Sequence, residues 1–316
     1  MKDIKNYIML LILPKICFFF IVIVVSLYPD TAWTVVLKQF KDENDTFKIE
    51  HIYDLEIDNL GNVWAGFNNG FGIYDGYALK RFKSYYYTVI SKDLENSIWT
   101  FNEQNGFIAF KDTNLTEVSI ETGDEMPEKN FTDFFQASDG TYWITVTNGG
   151  VFSSTDLLNW TNHYPTPLPK RNYKQVLEDK LKRIWVCSAF TSEVACFDGN
   201  NWTIYNQDNS PVYKIYCMAA DSSGNMWFSS VDEIEKHQQG LFKFDGENWT
   251  QYNSENSNLP YNDSYGMVVD RAGYLWLITG ECDFLRFTGD TFEIRDNSWF
   301  PRYGAAADNM LVDYRM

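Results

Sequence analysis

Apolar and polar residues alternate with a period of two through Ile52-Tyr53-Asp54-Leu55-Glu56-Ile57-Asp58, the pattern of a strand with one buried face. Leu60-Gly61-Asn62 then turns the chain, Val63 to Phe67 supplies a second strand, and Asn68-Asn69-Gly70 reads as a hairpin turn. Phe71 to Tyr74 is a third strand, and Asp75-Gly76 turns into an outer strand from Ala78 to Tyr85. Such a unit cannot bury both faces of its small sheet alone, so it needs neighbours packed against it. The order returns with Tyr213 to Ala220, Met226 to Ser229, Leu241 to Phe244, Asp245-Gly246 and Asn248 to Tyr252. Beyond the first 28 or so residues no segment sustains a helical period, which predicts an all-β chain.

A tryptophan marks the second strand of each unit. It follows an acidic turn in Asp58 to Trp64, Asp221 to Trp227 and Asp270 to Trp276, and more loosely in Asp139 to Trp143. Asp179 to Trp185 carries Lys182-Arg183 where a glycine is expected, and Trp99 fills the remaining slot with no acidic turn assigned to it. Trp64, Trp99, Trp143, Trp185, Trp227 and Trp276 lie 35 to 49 residues apart, about the period of four-stranded propeller blades. Their expected role is structural: an indole wedged between radial sheets removes about 150–250 Å² from water.

The predicted fold is a single β-propeller of six to seven four-stranded blades over residues 29–316. Tryptophan-centred blades are placed at about 45–85, 86–122, 130–164, 173–206, 213–253 and 263–297. Ala32 to Leu37 resembles an outer strand and Ala305 to Asp313 an inner one, so residues 30–40 and 303–314 would form a closing blade. That blade lacks two middle strands on this reading. Either it is reduced or the propeller is cut short.

Residues 1–28 differ from the rest. Lys2 and Lys5 precede an apolar stretch interrupted by Pro14 and Lys15, and Ile16 to Leu27 is uncharged. This is the order of a secretory signal, with an uncleaved membrane anchor as the alternative. Either implies an extracytoplasmic propeller that meets a membrane only through this segment. Disulfides are then permitted. If Trp185 faces Phe197 across its hairpin, as Trp64 would face Tyr74, Cys187 and Cys196 project from opposite sides of the sheet. Free, mostly buried thiols are expected at Cys187, Cys196, Cys217 and Cys282.

The net charge of −17 argues against a nucleic-acid partner, which needs a basic face. No CxxC spacing suggests zinc, only three histidines are present, and no nucleophile or phosphate-binding motif occurs. No metal or cofactor is expected.

The order aspartate, glycine–asparagine, tryptophan, glycine turn, aromatic and aspartate–glycine resembles the two-component regulator propeller repeat. Gly61-Asn62-Val63-Trp64 with Tyr74-Asp75-Gly76, and Gly224-Asn225-Met226-Trp227 with Phe244-Asp245-Gly246, carry it best, over about residues 45–297. The resemblance implies an extracytoplasmic sensor propeller, of a family of which many members respond to polysaccharide breakdown products. The acidic turns also resemble the Asp-boxes of sialidase-like propellers, which are structural turns remote from catalytic centres.

In a propeller the loops between second and third strands share a face with the connections between blades. That face offers the ligand-binding candidates Asn68, Asn69, Asn148, Phe190, Glu233, His237, Glu281 and Asp283. The segment Val231 to Gln239 departs most from the repeat, and long loops on a rigid scaffold gather binding residues. Three readings follow: a non-catalytic propeller binding an oligosaccharide or protein partner; a truncated or stand-alone sensor; and a glycoside hydrolase or lyase with Glu233 and Glu281 as paired carboxylates.

Overall fold

The computed structural model describes residues 52–295 apart from short stretches, together with strands Ile8–Leu11, Ile21–Leu27, Trp33–Gln39 and Met310–Asp313. All regular elements among the described residues are strands, gathered in four-stranded antiparallel sheets. The first consists of Ile52–Ile57, Val63–Phe67, Gly70–Tyr74 and Leu79–Lys83, side by side in chain order. Five more follow the same order, starting from Ile90, Phe131, Tyr173, Lys214 and Gly266.

The leading strand of each sheet touches the leading strand of the next. Met310–Asp313 touches both Gly266–Val269 and Ile52–Ile57, so these strands form a circuit around a common axis. The sequence leaves the sheet built from the chain ends without its middle pair. In the structure that pair is Ile8–Leu11 and Ile21–Leu27, and the order across the sheet is Met310–Asp313, Ile8–Leu11, Ile21–Leu27, Trp33–Gln39. The β-branched run Ile21-Val22-Ile23-Val24-Val25 suits a strand.

Five of the sheets are fastened by an acidic turn. The Asp58 carboxylate accepts the Asn62 backbone N–H through Oδ1 at 2.8 Å and the Trp64 indole N–H through Oδ2 at 3.0 Å. Asp179–Trp185, Asp221–Trp227 and Asp270–Trp276 repeat the indole bond at 2.8–2.9 Å. One carboxylate thus satisfies both the turn and the only polar atom of a buried ring.

Two sequence assignments change. Trp99 has its acid after all: Asp93 accepts its indole N–H at 2.7 Å, with Asn96 left-handed (φ 66°) where the other turns place glycine. In the third sheet Asp139 does not reach the indole but accepts the Thr141 N–H. The position equivalent to Asp58 is Ala137, whose N–H and C=O close the same turn, and the buried Trp143 Nε1 has no partner. Lys182 takes the glycine's place in the fourth turn with φ 64°.

The hairpin register is one residue from that expected. Trp64 pairs with Ile73 and Trp185 with Cys196, while Cys187 pairs with Val194. Cys187 and Cys196 therefore project from the same side of the sheet, into one cluster with Trp185, Met218 and Phe228. They are diagonal neighbours, about 7–8 Å apart by sheet geometry, which a disulfide cannot span. Cys187, Cys196 and Cys217 are free and buried, and burial pushes each thiol up to about 12. Cys282 lies outside the described residues.

Candidate functional site

Around the axis, the leading strands of four sheets share one irregularity. Tyr53, Thr132, Lys174 and Tyr216 are skipped in the pairing with the second strand, so each strand bulges at the same place. A bulge twists the strand and re-aims the side chains beside it.

The residues beside the bulges reach across to the next sheet. Asp54 accepts the Ile90 N–H at 2.9 Å, and Asp133 accepts the Val176 N–H at 2.8 Å. Gln175 makes the same step with both ends of its amide, accepting from Met218 N at 3.0 Å and donating to Met218 O at 3.1 Å. Cys217 points its thiol at the Ser264 carbonyl, which also receives the Ser229 hydroxyl at 2.6 Å. Each of the four stands four residues before the turn position occupied by Asp58, Ala137, Asp179 or Asp221. Repeats aligned on those turns would have shown a polar or thiol residue recurring there.

The surroundings of the two aspartates tune them. Both keep some exposed surface, yet they sit deep among protein atoms, and desolvation raises their carboxyls despite the backbone bonds. Asp133 is raised from 3.8 to about 7. Asp54 is raised as well, by burial first and then partly by the charge of Asp133. Lys174, on the neighbouring strand, donates from Nζ to the Tyr216 carbonyl at 2.9 Å.

A second polar group lies further out, where Ser153 Oγ and His163 Nε2 are 2.9 Å apart. The pair has the spacing of a nucleophile and its base, but the other nitrogen decides the chemistry. His163 Nδ1 accepts the Trp202 indole N–H at 3.2 Å, so in the neutral ring the proton sits on Nε2 and points at the serine. Burial lowers His163 to about 4, which keeps the ring neutral. In this arrangement it donates to Ser153 and cannot take its proton. The imidazole also stacks on Trp143 at 5.1 Å.

Among the sequence-predicted ligand residues, Asn68, Asn69, Asn148, Phe190, Glu233, Glu281 and Asp283 lie outside the described residues. His237 falls in strand His237–Phe244, with its backbone opposite Asp232. Much of the expected long loop is therefore strand: Met226–Asp232 and His237–Phe244 extend the fifth hairpin, and the intervening segment shortens to 233–236. Among the described residues no group of histidine, cysteine, aspartate and glutamate is placed to hold a metal ion.

Radial four-stranded sheets, closed turn by turn with carboxylate-to-indole bonds, define a β-propeller. The chain carries a two-component regulator propeller repeat: that family's model matches residues 209–232, which span the fifth acidic turn. No curated protein matches the chain. Several solved structures do. The virginiamycin B lyase from Staphylococcus aureus is 12% identical, with 90% of this chain and 95% of that one covered and a TM-score of 0.62. PorZ, a surface component of the type-IX secretion system of Porphyromonas gingivalis, is 13% identical, with 84% and 43% covered and a TM-score of 0.59. The extracellular domain of a putative hybrid two-component system from B. thetaiotaomicron is 13% identical, with 90% and 48% covered and a TM-score of 0.52. This chain thus spans about half the length of that domain.

Proposed function

We propose that the protein is an extracytoplasmic binding propeller, six tryptophan-centred blades and a closing blade from the chain ends, which holds a ligand on the face of the second-to-third-strand loops. The observation that carries this reading is how the polar groups of the scaffold are used. Five turn carboxylates hold indoles, Asp54 and Asp133 hold the next blade's backbone, and the Ser153–His163 pair has its proton on the wrong atom for nucleophile activation. Framework and recognition are thereby separated, with recognition left to the loops that depart from the repeat.

An oligosaccharide is the favoured ligand class, and a protein the alternative. The solved extracellular two-component domain and the repeat match favour a sensor role for the propeller. The apolar N-terminal segment supplies Ile8–Leu11 and Ile21–Leu27 to the closing sheet, so any role for it in export requires that it be retained in the folded chain. A glycan array probed with the purified chain tests the proposal. Binding that is lost on substituting Asn68 and Asn69 or Glu233 and His237 supports it. Silence across oligosaccharide classes removes the glycan, and hydrolysis that survives both Glu233→Gln and Glu281→Gln removes the proposed carboxylate pair.

A further inference from the structure

The closing sheet ties the end of the chain to its beginning, and it does so through the apolar N-terminal segment. Its leading strand, Met310–Asp313, touches the leading strands of the sixth and first blades. Ile8 to Leu11 pair in turn with Asp313 to Met310, and Ile21 to Leu27 pair with Gln39 to Trp33. Met9 stands opposite Val312 on one side and Val25 on the other. Neighbouring strands are about 4.8 Å apart, so the first and last strands of this sheet lie about 14 Å from one another, too far to bond. The two strands between them therefore carry the closure of the ring.

The same residues have the order of a cleavable leader, and Ser26, with Val24 two places before it, offers a cleavage point. That point lies inside the ladder: Ser26 is opposite Ile8 on one side and Thr34 on the other. A cut after Ser26 would remove Ile8–Leu11 and all but the last residue of Ile21–Leu27. A membrane-inserted segment could not pair with Met310–Asp313 either, so closure excludes both fates. The composition favours closure. Pro14 and Lys15 divide the apolar stretch, and the uncharged run Ile16 to Leu27 falls short of the roughly 20 residues that span a bilayer. Five successive β-branched residues, Ile21 to Val25, suit a strand better than a helix. An unbroken apolar run is also what a strand covered on both faces carries.

We propose that the N-terminal segment stays in the working protein as the inner pair of the closing blade, neither removed as a leader nor inserted as an anchor. The bond after Ser26, paired on both sides, is withheld from a peptidase, which cuts exposed and unpaired chain. Export then has to deliver the segment with the rest of the chain. The inference needs only the closing sheet and is independent of what the loop face binds.

Two measurements on the full chain test the proposal. The first is the intact mass and tryptic map of the protein recovered from the cells that make it. The peptide running from Ile16 to Lys38, uncut after Ser26, is expected. The second is a cross-link between the chain ends. Ile8 and Asp313 are direct partners, so Ile8→Cys with Asp313→Cys places two thiols within disulfide reach. Ile8→Cys with Met310→Cys is the control, since Met310 pairs with Leu11 and lies about 10 Å along the strand from Ile8's partner. On mild oxidation the in-register pair should link at least about tenfold more than the offset pair. A protein that begins at Leu27 or later overturns the proposal, as does an uncut chain whose in-register pair links no better than the control.

Discussion

At the level of single residues, the repeated bond from an aspartate to an indole explains why this pairing recurs at fixed spacing. Trp227 is almost wholly buried, edge-on to Phe287 at 5.0 Å and close to Tyr252. Trp227→Ala should cost about 3–5 kcal/mol in chemical denaturation, the usual range for truncating a buried aromatic. Asp221→Ala leaves the indole N–H and the turn amides without their acceptor, and should cost about 1–3 kcal/mol. The third blade provides the reciprocal experiment. Ala137→Asp offers the orphaned Trp143 Nε1 the carboxylate its counterparts have, and should raise the melting temperature. A drop would mean that Asp139 already commits the turn to another geometry.

Asp133 gives the residue scale a pH dependence. Its carboxyl titrates near 7 in the folded chain against an ordinary 3.8, so between these values the folded state holds a proton that the unfolded state has released. Its contribution to stability is complete below about 4 and falls as pH rises to about 7, after which it is flat. Asp133→Asn should flatten part of this slope in melts recorded from pH 4 to 8, leaving the part due to Asp54, whose shift has the same direction. An unchanged slope would place the titration elsewhere.

At the level of elements, backbone conformation decides which substitutions a blade tolerates. Gly240 has φ 88°, donates its N–H to the Asn262 carbonyl, and leaves no room for a Cβ against the Tyr252 carbonyl. Gly240→Ala should therefore disturb the fifth hairpin and its outer strand together, lowering stability by more than about 1 kcal/mol. Lys182 is the reverse case, a left-handed lysine in a turn whose counterparts use glycine. Lys182→Gly should stabilise by up to about 1 kcal/mol, read as a shift in the denaturation midpoint.

Strand identity in the first blade was legible from alternation and turn residues, and its strands fall within a residue or two of their predicted bounds; Ile8–Leu11 and Ile21–Leu27 were not, because an uninterrupted apolar run lacks the period of two and reads as a signal or anchor. Register was not. Pairing Trp64 with Tyr74 by eye is one step wrong, because the length of a hairpin turn is not visible in the apolar pattern. Asp93 was missed as a box residue because Asn96 replaces the glycine that marks most of the other turns. The bridging residues Asp54, Asp133, Gln175 and Cys217 were missed because they differ chemically while doing the same geometric task.

At the level of the whole molecule, the sheets lock to one another through short inner-strand bridges as well as through aromatic packing between blades. A ring of this kind supplies rigidity and leaves specificity to loops. The loop-face candidates came from topology and departure from the repeat, signals that identify a face more readily than a ligand.

The account rests on the loop face being the one that recognises a ligand. Hydrogen–deuterium exchange of the full chain, with and without the strongest glycan from the array, tests that most directly. Slower exchange confined to peptides covering 68–69, 148, 189–191, 233–236 and 280–283 is the result expected. Protection on the acidic turns around Asp58, Asp179 and Asp221, with those loops unchanged, would contradict it.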